Sequence, residues 1–327
     1  MKNYYFSEKN DSALLYDLCL IIPTLNRPDT LFANINSLVS NFNKIKPKIL
    51  IQILISENNS VSNRKIDKSK LRLLLEKNVK TKTIHFVFIK RIKRLSIGRH
   101  MNVLSSSVNC NWIMWLGDDD LLTPTYLKFV IGVIESGNLN IQSVFPGSSG
   151  ITEKEYFHLA KSNENIQRNI NIKCYNYNSK NLEYVIHRGH QLSGLLYRKE
   201  IIDVSNQILP NNNLYPWMCH QVIAIKKGSI LSVSGSHARI TSDTNKLFSY
   251  KKDGLLPDIT EAILCGFSSE RGLGTYYASK VITGIGSWRI FNTSKTGIGA
   301  LMNYILLYYN KRMDRKVFYR SFLVLVL

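Results

Sequence analysis

The chain lacks the features that would place it across a membrane or outside the cell. None of its apolar stretches reaches the roughly 18 uncharged residues that a membrane-spanning helix needs. The first residues, Met-Lys-Asn-Tyr-Tyr-Phe-Ser-Glu, lack the long apolar core of a secretory signal peptide. These two absences predict a cytoplasmic protein.

Cysteine is scarce and irregularly placed. The five cysteines are odd in number and show neither C-x-x-C nor zinc-ligand spacing, so a disulfide framework or structural zinc site is not expected. They are Cys19, Cys110, Cys174, Cys219 and Cys265. A glycine-rich phosphate loop is also missing.

Acidic residues are few relative to basic ones. The 327 residues include 43 Lys and Arg but only 23 Asp and Glu, which gives a formal charge of +20. Residues 44–99 hold sixteen of the basic residues and three acidic ones. Such an excess indicates a polyanionic partner: nucleic acid, an anionic lipid surface or a phosphorylated substrate. Many of the individual lysines will simply solvate helix faces and loops.

Short apolar runs alternate with helical patterns through the first 130 residues. Strands are predicted at 18–23, 49–55, 84–89 and 112–116, and helices from 28, over 66–75 and over 96–108. This alternation predicts a mostly parallel sheet with helices on both faces. Ligands bind such sheets at the carboxyl ends of the strands. The polar clusters at 24–27, 56–60 and 118–120 all fall there.

Three consecutive carboxylates follow the apolar run W-I-M-W-L-G. Because Asp118, Asp119 and Asp120 repel one another, a folded chain must solvate them or neutralise them with a cation. Oxygen ligands at this density suit Mg²⁺ or Mn²⁺, which bind through one or two carboxylates plus substrate phosphate oxygens. The alternative is a solvated acidic turn without chemistry.

The alternation weakens beyond residue 125. Helices are predicted at 126–135 and 216–227, strands at 143–145 and 195–197, and an Asn-rich loop or insertion at 163–180. The pattern from about 243 onward is helical, at 259–267, 276–282 and 298–309. We therefore expect a catalytic domain over 1–242, with a nucleotide half at 17–127 and an acceptor half at 128–242. A helical, basic extension over 243–327 follows it.

Four elements in order carry a resemblance to a known family. They are I-I-P-T-L-N-R at 21–27, I-S-E-N-N-S at 55–60, G-R-H-M-N at 98–102 and L-G-D-D-D at 116–120. Together they resemble family 2 glycosyltransferases, and Asn102 precedes Asp120 by the family's spacing. The resemblance implies the α/β GT-A fold, a Rossmann-like, mostly parallel sheet flanked by helices, here with a helical C-terminal extension. It also implies inverting transfer of a sugar from a nucleotide donor, assisted by Mn²⁺ or Mg²⁺.

The same resemblance implies roles for individual residues. Asp118 and Asp120 would bind the metal and the diphosphate, Asp119 the ribose or sugar, and Glu57 the nucleobase, for which uracil is favoured. The other residues expected to line the donor cleft are Pro23, Thr24, Asn26, Arg27, Arg99 and Asn102.

The second half of the site departs from the family pattern. The position expected to carry the basic carboxylate falls on Pro216 and Trp217, so we expect His220 to act as the base instead. His237, in S-H-A-R-I-T, would complete the metal's coordination as it does in some family members. The carboxylates of Asp203, Asp243 and Glu183 remain possible bases. His187 and His190 are expected to shape the acceptor pocket.

The expected function is sugar transfer onto a lipid-linked glycan, as in surface polysaccharide (O-antigen or capsule) assembly, by a protein peripheral on the inner membrane face. The terminal segment 301–327 is basic and aromatic, which suits either an anionic membrane surface or packing on a protein. Two alternatives stay open: nucleotidyl transfer, and a basic polyanion- or membrane-binding module with an inert acidic turn. No nucleic-acid partner is expected, since no aromatic-interleaved RNA motif occurs.

Overall fold

The structure is a computed structural model that describes residues 6–7, 14–60, 64–162, 164–167, 169–241, 255–281 and 314–319. Its centre is one sheet of ten strands with the order β1-β4-β3-β2-β5-β9-β7-β10-β6, and β8 also pairs with β10. The strands are β1 Phe6–Ser7, β2 Tyr16–Thr24, β3 Ile51–Glu57, β4 Ile84–Lys90, β5 Cys110–Trp115, β6 Asp120–Leu122, β7 Ile141–Ile151, β8 Ile172–Tyr175, β9 Leu196–Arg198 and β10 Ser229–Thr241.

The strands that position the site run parallel. β4, β3, β2 and β5 pair in parallel, with Thr24 opposite Glu57 and Glu57 opposite Lys90, so their carboxyl ends are level at one edge. All seven residues of β3 are buried, as expected of a strand covered on both faces. β9 is antiparallel to both β5 and β7, so β7 and its parallel neighbour β10 point the same way as β5.

Helices cover both faces of the sheet and form two large apolar clusters. One cluster joins Ile35, Leu71 and Val130 to the sheet, and the other joins Leu104, Val222 and others to the opposite face. The helices are α1 Pro28–Ile45, α2 Lys68–Asn78, α3 Ile97–Ser107, α4 Pro124–Glu135, α5 Glu153–Lys161, α6 Leu182–Arg188, α7 Lys199–Ile208, α8 Pro216–Lys227 and α9 Leu255–Gly266, with further helical turns at 271–281 and 315–319.

The predicted fold class and the strands and helices of the first 135 residues are confirmed. The second half is more ordered than predicted, because α5, α6, α7, β8 and the 13-residue strand β10 were not foreseen. β10 alternates small polar residues with apolar ones and bulges between Val233 and Ala238, where Gly235 has a φ of 114°. A bulge interrupts the alternation of apolar and polar residues, and β10 could therefore not be predicted from that alternation.

In the C-terminal region, α9 packs on α8. A Cβ on Gly266 of α9 would lie 2.7 Å from Val222 of α8, so the two helices touch closely. The domain boundary at 242 stays a prediction. The helix predicted at 298–309 lies outside the described residues, and only 314–319 of the terminal segment are described. Among the helices described, none is both long enough and apolar enough to cross a bilayer.

Candidate functional site

The three aspartates lie at the carboxyl edge of the sheet, in the turn that joins β5 to β6. All three are buried, with at most 9% of their surface exposed. The turn is closed by the Asp120 N–H, which donates to the Gly117 carbonyl at 3.3 Å. Three carboxylates so close together, and shielded from water, need donors or cations to be stable.

The loop after β2 supplies the first of these partners. Thr24 Oγ1 donates to Asp118 Oδ2 at 2.7 Å. Arg27 Nη1 donates to Asp119 Oδ2 at 2.6 Å and to Asp118 Oδ1 at 3.3 Å. Burial and the charge of Asp119 raise the pKa of Asp118 to about 6, although Arg27 and Thr24 favour its ionised form. The single guanidinium of Arg27 therefore pairs with two carboxylates, and the turn keeps an excess of negative charge.

Asp120 is held by residues that are distant in the sequence. Ser193 Oγ donates to Asp120 Oδ2 and accepts the Gly117 N–H at 2.9 Å. The Thr241 N–H donates to Asp120 Oδ1 at 3.1 Å, and the Thr241 hydroxyl donates to the Asp119 carbonyl. Neither Ser193 nor Thr241 carries a local sequence signal for this role, because these contacts span 73 and 121 positions.

Two further side chains fix the backbone of the turn. Asn34 Nδ2 on α1 donates to the carbonyls of Asp120, at 2.6 Å, and Gly117, at 3.1 Å. The Tyr156 hydroxyl on α5 donates to the Thr30 carbonyl at 2.7 Å and lies 3.4 Å from that of Asp118. The carboxylates thus project from a rigid turn, which is a requirement for a preorganised site.

Glu57 ends β3 beside this edge and is fully buried. Its Oε1 accepts the Ile66 N–H at 2.9 Å, while Oε2 has no hydrogen-bond partner within the described residues. A buried carboxylate oxygen without a donor costs free energy. A ligand N–H that reached Oε2 would remove this cost.

A second buried polar pair lies next to Glu57. Ser56 Oγ is 2.8 Å from His100 Nε2, and burial together with the charge of Arg91 lowers the pKa of His100 to about 4. The imidazole is therefore neutral at physiological pH. Burial lowers the pKa of Arg91. This arginine, which sequence reasoning did not single out, places a positive charge beside the predicted nucleotide half.

The other predicted donor residues are spread around the same edge. Pro23 pairs with Ser56 across β2 and β3, and Asn26 adopts a left-handed φ of 58° with its N–H donating to Ser60 Oγ at 2.9 Å. Arg99 is exposed on α3, and Asn102 is half-buried on the same helix. In the described structure neither side chain has a hydrogen bond or ion pair to the carboxylates.

The donor set fits a divalent cation held by few protein ligands. Asp118 and Asp120 offer hard oxygen atoms at the point of excess charge, which suits Mg²⁺ or Mn²⁺ completed by water and phosphate oxygens. No cluster of three or more His, Cys, Asp or Glu side chains with the geometry of a metal site occurs among the described residues. Any such ion would therefore depend on the substrate for part of its coordination.

His237, the predicted third metal ligand, lies on β10 beside the start of α4. Its Nδ1 lies 2.9 Å from Thr123 Oγ1, and its ring stacks on Tyr126 at the start of α4. β10 reaches the carboxylates four residues later, at Thr241. Through Nδ1, His237 contacts the β6–α4 corner, and its place as third ligand through Nε2 stays a prediction.

His220 is also misplaced for its predicted role as the base. It is 1% exposed, both ring nitrogens lack hydrogen-bond partners in the described structure, and its ring packs edge-on against Tyr197. Burial lowers its pKa to about 3. A general base must reach the proton it removes, so a histidine enclosed by the core cannot serve.

The alternative carboxylates do not replace it. Asp203 pairs with Lys199 on the outer face of α7. Glu183 begins α6 at the end away from Ser193 and lies near Tyr277. Asp243 lies outside the described residues.

Two histidines at and just after the end of α6 precede the residue that holds Asp120. Ser193, which holds Asp120, lies only three residues after His190, and the Gly194 N–H donates to the Trp115 carbonyl at 2.8 Å. The rings of His187 and His190 are 4.5 Å apart, and both side chains are half-buried. His190 Nδ1 lies within hydrogen-bond distance of the His187 carbonyl. A carbonyl only accepts, so Nδ1 carries the proton and Nε2 the lone pair.

Comparisons with known proteins agree with this geometry. The family model described as Glycosyl transferase family 2 matches residues 19–204. The structure of S. aureus TarS 1–349 in complex with UDP-GlcNAc has a TM-score of 0.57 at 12% identity, covering 93% of this chain and 90% of that one. A longer TarS structure gives 0.53 at 12% identity, covering 82% of this chain and 43% of that one. These likenesses confirm the GT-A fold.

Two other comparisons contribute less. The mannosyltransferase PcManGT from Pyrobaculum calidifontis, in complex with GDP-Man and Mn²⁺, gives a TM-score of 0.46 at 8% identity, covering 99% of this chain and 91% of that one. This likeness adds nothing to the fold assignment. A search of curated proteins found no match.

Proposed function

The chain belongs to glycosyl transferase family 2 and is a glycosyltransferase, and on that premise we propose that it moves a sugar from a UDP-sugar to a lipid-linked glycan with inversion. The observation that carries the proposal is the buried carboxylate turn at the carboxyl edge, where Asp118 keeps a raised pKa despite Arg27. This turn needs positive charge. A nucleotide diphosphate bound with a divalent cation would bring it.

The chain's own residues would hold the donor's diphosphate end. Asp118 and Asp120 would ligate Mn²⁺ or Mg²⁺, which, when bound, would neutralise the negative charge gathering on the departing diphosphate. Ser193 and the Thr241 N–H keep the Asp120 carboxylate in one orientation. Arg27 sets the position of Asp119, which would face the ribose or the sugar.

Glu57 supports a uracil base. A carboxylate oxygen such as Oε2 accepts hydrogen bonds, which suits the N3–H of uracil and disfavours the unprotonated N3 of cytosine. The complex of TarS with UDP-GlcNAc, a distant structural neighbour, is consistent with this choice. Thr24 lies opposite Glu57 and bonds to Asp118, so it and the preceding Pro23 would line the donor cleft between them.

For the base we propose His190 in place of His220. Its lone pair is on Nε2, its side chain is half-buried and not enclosed, and its backbone continues directly into the Ser193 contact with Asp120. Imidazole titrates near neutral pH, as a base that deprotonates an acceptor hydroxyl should. The hydroxyl would then attack opposite the leaving nucleotide in one step.

The positive charge of the protein supports the proposed acceptor and the proposed location at the membrane. With a formal charge of +20, the protein is suited to anionic partners such as a polyprenyl-diphosphate-linked glycan at the inner face of the membrane. Surface polysaccharide assembly uses acceptors of this class. Family membership favours sugar transfer over nucleotidyl transfer, and the preorganised carboxylate turn disfavours an inert acidic loop.

The test is release of nucleoside diphosphate from a panel of UDP-, GDP-, CDP- and dTDP-sugars with Mn²⁺. Each donor is incubated with polyprenyl-diphosphate-linked glycans or with matched water-soluble glycans. The proposal expects release from a UDP-sugar that requires the lipid-linked acceptor and is lost in Asp120→Asn. The anomeric configuration of the product, read by NMR, would be opposite to that of the donor.

A further inference from the structure

The loop between β4 and α3, residues 91–96, presents an apolar side chain to solvent. Ile92 is 91% exposed, the highest value among the large hydrophobic residues described. Ile97, at the start of α3, is 39% exposed. Exposed aliphatic side chains are common singly, but this one lies between basic residues at the edge that carries the site.

Both ends of this loop are hydrogen-bonded to the end of β3 and the residue that follows it. The Arg91 N–H donates to the Glu57 carbonyl at 2.9 Å. Asn58 closes the other end, since its Nδ2 donates to the Leu95 carbonyl and its Oδ1 accepts the Leu95 N–H, both at 2.9 Å. Hydrogen bonds therefore hold the loop on both sides of the exposed Ile92.

The charge around Ile92 is of one sign. Lys90, Lys93, Arg94 and Arg99 are all exposed, and no Asp or Glu occurs in the sequence between Glu76 and Asp118. None of these four cations has an ion pair with any described residue. The loop thus combines unneutralised positive charge with an exposed aliphatic tip.

We propose that the β4–α3 loop docks the protein on an anionic bilayer, with Ile92 inserted among the lipid head groups and Lys93 and Arg94 paired with lipid phosphates. A basic segment alone would suit any polyanion. An exposed isoleucine gains free energy only where apolar chains are near, which favours a membrane. Because the loop is fastened to Glu57 and Asn58, docking would bring the predicted nucleotide cleft to the lipid surface.

The inference rests on the proposed lipid-linked acceptor for its purpose, but its test needs no substrate. Ile92→Trp is compared with Leu139→Trp, which alters a residue 78% exposed at the opposite, amino edge of the sheet. Each variant is mixed with vesicles of phosphatidylglycerol and phosphatidylcholine, with and without brominated acyl chains. The proposal expects bromine to quench the added tryptophan of Ile92→Trp and not that of Leu139→Trp. Equal quenching of the two would overturn it.

A second measurement gives affinity by co-sedimentation with the same vesicles. Ile92→Asp should weaken vesicle binding about tenfold or more. The substitution removes the inserted aliphatic side chain and adds a negative charge that the anionic lipids repel. Leu139→Asp should bind as wild type. Unchanged binding by Ile92→Asp, or equally tight binding of wild type to RNA as to vesicles, would contradict insertion and indicate a general polyanion surface.

Nucleotide binding separates this inference from the proposed function. Ile92→Asp should keep the stabilisation by UDP and Mn²⁺, because Ile92 does not contact the cleft. If wild type binds vesicles through Ile92 but shows no nucleotide response, the docking loop stands and the proposed function fails. If wild type responds to the nucleotide but does not bind vesicles through Ile92, the docking proposal fails and the proposed function stands.

Discussion

Arg27 Nη1 lies 2.6 Å from Asp119 Oδ2, and this ion pair joins the loop after β2 to the turn after β5. The same nitrogen lies 3.3 Å from Asp118 Oδ1. Burial lowers the pKa of Arg27, but the two carboxylates outweigh it and raise that pKa above its usual value. One cation thus holds two of the three carboxylates before any ligand binds.

Replacing this cation should make the protein depend on metal for stability. Arg27→Gln leaves two largely buried carboxylates without a counter-charge, so we expect a loss of about 2 kcal/mol in the free energy of unfolding. Mn²⁺ should raise the melting temperature of Arg27→Gln more than that of wild type. Arg72→Gln, which removes an exposed pair with Glu76, is the control and should cost below about 0.5 kcal/mol. If Mn²⁺ stabilised both proteins equally, the ion would not bind at this turn.

Ser193 should affect metal use more than folding. Ser193→Ala removes the hydroxyl that orients Asp120, and loss of such a support typically costs about 10- to 100-fold in metal affinity or activity. The free energy of unfolding should change by only about 1 kcal/mol. Turnover measured against Mn²⁺ concentration gives the shift, and Ser136→Ala, which loses one hydrogen bond to Val133 on α4, is the control. Identical Mn²⁺ curves for wild type and Ser193→Ala would contradict the assignment.

His220→Leu should leave catalysis intact and flatten the acid dependence of stability. The folded-state pKa of about 3 lies below the ordinary 6.5, so only the unfolded chain takes up this proton as the pH falls from 6.5 toward 3. Stability is therefore full above pH 6.5 and is lost below it. Urea denaturation at pH 7 and 4.5 should show a difference about 2 kcal/mol smaller in the variant than in wild type. A drop in kcat of a hundredfold in a folded variant would restore His220 as the base.

His190→Gln should impair the chemical step while leaving the donor bound. Removing a general base typically costs about 10² to 10⁴ in rate. We expect kcat to fall by that range, with little change in KM for the donor and loss of the acidic limb of the pH profile. His158→Gln, an exposed position on α5, serves as the control. A variant with the wild-type pH profile would show that the proton leaves by another route.

Glu57→Gln should reduce discrimination between nucleobases. The amide offers a donor as well as an acceptor, so cytosine N3 would no longer face only a carboxylate. Calorimetric titration should show UDP binding about tenfold weaker in the variant and CDP binding unchanged or tighter. Parallel losses for UDP and CDP would mean that Glu57 supports the loop through Ile66 and does not contact the base.

The sequence predicted the parts of the fold that repeat a local pattern. The buried strands β2 to β5 are continuous apolar runs, and the polar residues at their ends reveal the carboxyl edge. The carboxylates and Thr24 were found on that basis, and the structure brings them together. Residues that directly follow parallel strands meet at one edge of the sheet, so their place in the site can be predicted from the strand pattern alone.

What the sequence missed depends on long-range contacts. Ser193 and Thr241 become part of the site only when distant strands pair, and a lone Ser or Thr carries no local signal. His220 was misjudged because α8 is buried on every side, from Pro216 to Ile225, so a polar residue on it does not mark an exposed face. The contact between His237 Nδ1 and Thr123 likewise depends on the pairing of β10 with β6, which no local pattern reveals.

The most direct test of the central claim is the melting temperature of wild type and Asp120→Asn with UDP, GDP, CDP or dTDP, each with and without Mn²⁺. A ligand at about 100 times its Kd adds roughly 2.7 kcal/mol of stability, which a thermal shift detects easily. The account predicts stabilisation of wild type by UDP with Mn²⁺, much less without the metal, and none in Asp120→Asn. No shift with any nucleotide, or the same metal-dependent shift in Asp120→Asn, would contradict a donor site at the carboxylate turn.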